Sequence, residues 1–162
     1  MPVVKKTPEQ ALASLMRLAS RAEKSSGDAR RLMRGWGIAP ADAERILAEL
    51  IDRRFIDDER FAAAYTREKL RMSGWGAHKI RASLAAKGIS RDIANAALQQ
   101  HLDPEAQAGR LEKLLERRLP RVKAATPYEL RSKLTRYGLS LGYDYDTVGE
   151  AVERAMNSSK KH

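Results

Sequence analysis

The sequence contains no cysteine. That one absence removes disulfides, thiolate zinc sites and thiol nucleophiles together, and it leaves the cytoplasm as the simplest compartment. Aromatic residues make up only 6% of the chain. The apolar mass is therefore Ala and Leu, which suits helices and suits strands poorly. No apolar run approaches the roughly 18–20 residues that span a bilayer. The stretch Met1 to Lys6 carries Val3 and Val4 but no apolar core, so no signal peptide is expected. There is no Walker-type or G-x-G-x-x-G loop, and hence no expected nucleotide cofactor. The three histidines, His78, His101 and His162, are scattered, and none stands with a nucleophile or carboxylate in a catalytic arrangement. These absences exclude most enzyme classes. They predict a soluble binding protein without cofactor or metal.

What is present is helical periodicity. Apolar residues recur at i, i+3, i+4 and i+7 in Leu12, Leu15, Met16 and Ala19, and again in Ala43, Ile46, Leu47, Leu50 and Ile51. Similar stripes follow at Ile93, Ala94, Ala97 and Leu98, at Leu111, Leu114 and Leu115, and at Val148, Val152 and Met156. Pro40, Pro104 and Pro127 each fall at a first helical turn, where a missing N–H costs nothing.

The helices repeat in groups. Ala29 to Ile38, Ile80 to Ile89 and Leu130 to Gly138 are each a short basic helix followed by glycine, the last with a longer exit through Gly142. The glycines return at a period of about 50 residues, which marks a repeat array. Longer leading helices are predicted over about 8–23, 58–72 and 105–119. The expected fold is all-α: three tandem three-helix repeat units, 8–56, 57–103 and 104–157, forming an elongated, curved array. The polar residues from Asn157 to His162 are expected to be a disordered terminus.

Charge is uneven. Lys and Arg total 31 against 21 acids, a formal net charge of +10, which speaks to partners and not to fold. Between Arg60 and Arg91 the only acid is Glu68, so that stretch alone carries about +7. Residues 107–136 add about +6. The short helices place Arg30, Arg31 and Arg34, then Lys79, Arg81 and Lys87, then Arg131, Lys133 and Arg136 in corresponding positions. A solvated face is the ordinary reading of such residues. The scarcity of acids over 60–91 favours binding instead, because solubility is better served by mixed charge.

Other clusters have plainer readings. Asp57-Asp58-Glu59 fits a helix start, with acids facing the positive end of the dipole, better than a metal site. Asp144 and Asp146 likewise precede a helix. Gly35-Trp36-Gly37 and Gly74-Trp75-Gly76 repeat a tripeptide at different points of the unit. Packing is the expectation for both tryptophans, and base stacking is the alternative.

The run Phe55-Ile56-Asp57-Asp58-Glu59-Arg60-Phe61-Ala62, followed by Gly74-Trp75-Gly76-Ala77-His78-Lys79-Ile80-Arg81, Leu84, Lys87-Gly88-Ile89, Ile93 and Ala97-Leu98, resembles the core of RecX. RecX proteins are bacterial regulators of the RecA recombinase. Arg21-Ala22-Glu23-Lys24 with Trp36-Gly37-Ile38 fits the first unit. Tyr128 to Leu134 with Gly142-Tyr143, where the family usually has Gly-Phe, fits the third. The resemblance implies three three-helix units in an extended arc that lies along the groove of a RecA filament and limits its growth. Strand exchange and the RecA-stimulated repressor cleavage of the SOS response would be restrained, and some members contact DNA directly. A chain of +10 suits such a filament through charge and counterion release. The expected contacts are Lys69, Arg71, Lys79, Arg81 and Lys87 in the middle unit, then Arg30, Arg34, Arg131, Lys133 and Arg136. Asp57, Asp58, Phe61, Trp75 and Gly88 are expected to be structural. The expected partners are the RecA filament and single- or double-stranded DNA, with no membrane, and the chain is expected to be a monomer. The rival reading is a direct DNA-binding protein with helix-turn-helix-like units. Against it, the short helices carry no Asn or Gln beside their arginines for bidentate base contacts.

Overall fold

Most of the helices begin where a short polar side chain can hold backbone amides that would otherwise lack a partner. The computed structural model describes residues 4–160, and among these are nine α-helices, one π turn, one 3-10 turn and no strand. Thr7 and Gln10 form a reciprocal capping box ahead of α1 (Pro8–Arg21). Ser25 and Asp28 do the same ahead of α2 (Ser26–Gly35). Helix α3 is Pro40–Asp52, with proline in its first turn. Asp57 accepts the Arg60 N–H at 3.0 Å at the start of α4 (Asp58–Glu68), and Asp58 accepts both the N–H and the hydroxyl of Ser26. The acidic triplet is therefore spent on helix starts. Helix α5 is Ala77–Ala86 and α6 is Arg91–His101. Asp103 caps α7 (Pro104–Arg118), which tightens into a 3-10 turn at Leu119–Arg121. Thr126 caps α8 (Pro127–Ser140). Ahead of α9 (Tyr145–Lys160), the N–H and hydroxyl of Thr147 bond to Asp144 and hold its carboxyl below the usual carboxylate range.

Two local expectations change, and the extent of the helix before Gly142, open in the sequence, is now defined. The leading helix of the middle unit leaves α geometry after Glu68 and continues as a π turn, Lys69–Ser73. Gly74, at φ 68°, ends that turn. Gly138 does not end α8: a Cβ there would meet Val148 Cγ1 at 2.8 Å, so the glycine serves helix packing, and the helix runs on until Gly142 at φ 98°. The tail stays helical to Lys160, where a disordered terminus was expected from Asn157 onward. Residues 1–3, half of the N-terminal stretch read for a signal peptide, and residues 161–162 lie outside the described residues.

The chain divides into two units. Unit 1 holds Met1–Ala64 and Ser83–Ala97; unit 2 holds Tyr65–Ala82 and Leu98–His162. In unit 1, α3 packs on α1 and α2 over Leu15, Met33, Ile46, Leu47, Leu50 and Ile56. Trp36 and Phe55 lie partly buried against that core, and Lys6 Nζ sits 5.1 Å over the Trp36 ring. Trp36 is thus a packing residue. In unit 2, α9 packs on both α7 and α8 over Leu111, Leu115, Leu134, Val148, Val152 and Met156. Full burial of each such side chain contributes roughly 1.5–3 kcal/mol.

Within each unit one glycine turn meets the start of another helix. In unit 1, Gly88 lies against Gly27 of α2, and Ser25 donates its hydroxyl to the Lys87 carbonyl at 2.7 Å. In unit 2, Gly142 lies against Gly76 at the entry to α5. There Gly76 N–H donates to the Leu141 carbonyl at 2.8 Å and His78 N–H to the Gly142 carbonyl at 3.0 Å. At both places backbone approaches backbone, which leaves no room for a Cβ.

Candidate functional site

The Gly74-Trp75-Gly76 turn sets the first basic cluster. Gly74 takes the left-handed backbone that closes the π turn, and Gly76 lets the Leu141–Tyr143 backbone approach. Trp75, held between them, is half-buried. Lys69 Nζ lies 4.8 Å from the Trp75 ring centre and Lys79 Nζ lies 4.5 Å from it. Lys69 is also 5.3 Å from the Tyr65 ring, which meets Trp75 edge-on at 6.5 Å. Each cation–ring contact is worth about 0.5–1 kcal/mol at a solvated site. The cluster fixes two ammonium groups beside one indole without neutralising either. Arg81 lies two residues on, with Nη1 3.5 Å from His78 Nδ1. Trp75 is a packing residue that also positions charge.

A groove of about 540 Å³ adjoins this turn. Arg71, Met72 and Gly74 form one wall; Arg110, Lys113 and Arg117 of α7 form the other. The α7 residues fall at i, i+3 and i+7 and so share one helix face. A second groove, of about 580 Å³, is lined by Arg118, Arg121, Lys123, Lys133 and Arg136 around Tyr137. No acid lines either groove. Sequence reasoning singled out Arg71, Lys133 and Arg136 but not Arg110, Lys113, Arg117, Arg118, Arg121 or Lys123. The signal was the charge of residues 107–136. What it lacked was the helix face on which each residue falls.

The ten predicted contact residues fall in both units. Lys69, Arg71, Lys79 and Arg81 lie together in unit 2, in or next to the Trp75 turn. Lys87, Arg30 and Arg34 belong to unit 1. Lys87 lies in the turn after α5, with its carbonyl engaged by Ser25. Arg30 makes a two-pronged bond to Glu44 at 2.8 and 3.3 Å; that bond raises the Arg30 pKa and lowers that of Glu44. Arg34 is exposed and has no ion pair among the described residues. In unit 2, Arg131 pairs with Glu153 at 2.6 Å and Lys133 with Glu129 at 3.1 Å. A bond from the Ala125 N–H, then the Lys133 contact, pulls the Glu129 pKa down. Arg136 is exposed on α8. Residues at corresponding repeat positions thus have different environments: Lys79 rests on a ring, whereas Arg30 and Arg131 are tied to acids.

Chemically these surfaces can attract and orient anions. Among the described residues no three of His, Cys, Asp and Glu are grouped to hold a metal ion. No described helix is long and apolar enough to cross a membrane.

Family models match two stretches. Residues 57–98 match the second three-helix domain of RecX, and residues 105–152 match its third three-helix domain. A protein named regulatory protein RecX from Clostridium perfringens (strain 13) is 30% identical over 147 residues, covering 90% of this chain and 68% of its own. Its namesake from Chromohalobacter salexigens is 31% identical over 151 residues, covering 90% and 92%. A third, from Clostridium botulinum (strain Alaska E43), is 32% identical over 105 residues, and the chain spans 48% of its length. The crystal structure of RecX from Lactobacillus salivarius superposes with a TM-score of 0.79 at 22% identity, over 91% of this chain and 96% of that one. A crystal structure of regulatory protein RecX gives 0.83 at 24% identity, over 91% and 73%. At those identities the structures speak to the fold, which is all-α with three-helix domains.

Proposed function

The chain belongs to the RecX family of regulatory proteins, and on that premise we propose that it binds the filament RecA forms on DNA and limits filament growth. Recombination and the RecA-dependent steps of the SOS response and DNA repair are then restrained in the cytoplasm. The chain acts as a monomer of three three-helix units, 8–56, 57–103 and 104–157. Lys69, Arg71, Lys79, Arg81 and Lys87 anchor the middle unit electrostatically. The remaining contacts are Arg30, Arg34, Arg131, Lys133 and Arg136.

The observation that supports this reading most is where the unpaired charge lies. Unit 1 ties Arg30, Arg31, Arg45, Arg53 and Arg60 to acids. In unit 2 no acid lines either basic groove, Lys69 and Lys79 of the Trp75 turn and Arg118 lie over rings, and among the described groove residues Lys133 pairs with Glu129. An unneutralised surface of this kind gains most from a polyanion through counterion release. A recombinase filament on DNA offers phosphates and acidic protein surface together.

The test is the rate of ATP hydrolysis by RecA on single-stranded DNA with substoichiometric amounts of this protein. The expected result is a fall in rate at levels well below those of RecA. No change in rate, with salt-sensitive binding to bare duplex DNA, overturns the reading in favour of a direct DNA-binding protein.

A further inference from the structure

Helix α8 has two faces with different work. Leu134 and Gly138 turn inward, with Leu130 and Tyr137 packed beside them. The opposite stripe is Tyr128, Arg131, Ser132, Thr135 and Arg136, spaced i, i+3, i+4, i+7 and i+8. With Tyr145 from the start of α9, it lines a groove of about 540 Å³. Tyr128 is 77% exposed and Tyr145 is 71% exposed. The three other tyrosines are buried or half-buried, and no other aromatic ring among the described residues is as open. A single exposed ring is ordinary, but two in one groove make a patch that the fold does not use.

The groove continues into charge. Arg136 lines it and also lines the neighbouring groove of Arg118, Arg121, Lys123 and Lys133, and no acid lines either. Rings at one end and, at the other, a basic groove in which Lys133 pairs with Glu129 while Arg118, Arg121, Lys123 and Arg136 face no lining acid match what an unpaired strand presents. Its bases have free faces, and its phosphates follow at regular intervals. Duplex DNA hides those faces within the stack. An acidic peptide would use the cations and leave both rings idle.

We infer that this part of unit 2 is a binding site for single-stranded nucleic acid, with bases stacked on Tyr128 and Tyr145 and phosphates led through Arg136 into the adjoining basic groove. The inference adds a DNA contact to the filament reading and rests on it only for its biological setting. The measurement therefore omits RecA, so that its failure leaves the ATPase result standing, and the reverse.

The probes are a labelled oligothymidylate, an abasic strand of equal length and a duplex of equal length, with binding followed by fluorescence anisotropy over a salt series. The wild-type chain should prefer the oligothymidylate to both others. Joint Tyr128→Ala and Tyr145→Ala substitution should lower oligothymidylate affinity about tenfold or more and leave abasic affinity unchanged, since each stacked base is lost with its ring. Tyr128→Phe with Tyr145→Phe keeps the rings and should keep the affinity, which controls for folding. Arg118→Ala with Arg136→Ala should weaken binding to both single strands and flatten the salt slope by about 0.7 per lost phosphate contact. Equal wild-type affinity for the abasic strand, preference for the duplex, no binding, or indifference to loss of both rings would each overturn the inference.

Discussion

Tyr143 shows how one side chain can make the whole fold depend on pH. Its ring is in the unit 2 core and its hydroxyl donates to the Gly74 carbonyl at 2.9 Å. Burial pushes its pKa up from 10 to about 12. The folded chain thus keeps a proton that the unfolded chain releases near pH 10. The stabilisation is complete below that pH and is lost as pH rises through about 12. Tyr143→Phe removes both the hydrogen bond and the titration. The variant should be less stable at neutral pH by about 1 kcal/mol. Its stability should then fall less steeply than wild type between pH 10 and about 12. Urea melts of both proteins across that window measure the difference, and the other titrating residues cancel in the comparison. Parallel alkaline profiles would show that the hydroxyl is not buried as described.

At the scale of elements, the glycine turns carry the packing. Gly142 combines φ 98° with a site where a Cβ would fall 2.5 Å from the Lys79 backbone nitrogen. Gly88, at φ 81°, has Gly27 Cα 2.7 Å from the place a Cβ would occupy. Gly142→Ala and Gly88→Ala should each cost about 2 kcal/mol or more, from the left-handed backbone and the clash together. Gly149, inside α9, has nothing within 4 Å of an added Cβ. Gly149→Ala should gain about 0.5–1 kcal/mol. Thermal midpoints of the three variants test the pattern, which fails if Gly142→Ala melts like wild type. The same glycines mark the limit of sequence reading. Asp57 and Asp144 were legible as helix starts because a cap acts within three residues. Gly88 and Gly142 were legible as turns because a left-handed residue after a helix favours glycine. Gly27, Gly76 and Gly138 were not, since what excludes a Cβ there is backbone or a side chain distant in sequence. The pairing of Arg30 with Glu44 and of Arg131 with Glu153 likewise depends on which helix faces meet. The basic character of the candidate site could be read from composition; the openness of Tyr128 and Tyr145 could not.

At the scale of the molecule, the question is whether a net charge of +10 acts as a diffuse field or through placed groups. A field set by the summed charge raises encounter rates with any polyanion and is screened beyond about 10 Å at 0.1 M salt. Placed groups depend on which cations are removed. Lys79 rests on Trp75 and Arg81 stands beside it in the same turn of α5, whereas Arg53 and Arg154 are exposed and already paired with Glu49 and Glu150. Lys79→Ala with Arg81→Ala removes the same charge as Arg53→Ala with Arg154→Ala. If the middle unit anchors the filament, the first pair should weaken inhibition of RecA ATP hydrolysis by about tenfold, and the second should leave it within about twofold, as expected for loss of rim charges. Circular dichroism should show unchanged helical content for both, because neither pair belongs to a buried core. Equal loss from the two pairs would mean that the chain works by net charge, and the anchor would have to be sought in the α7 and α8 grooves instead.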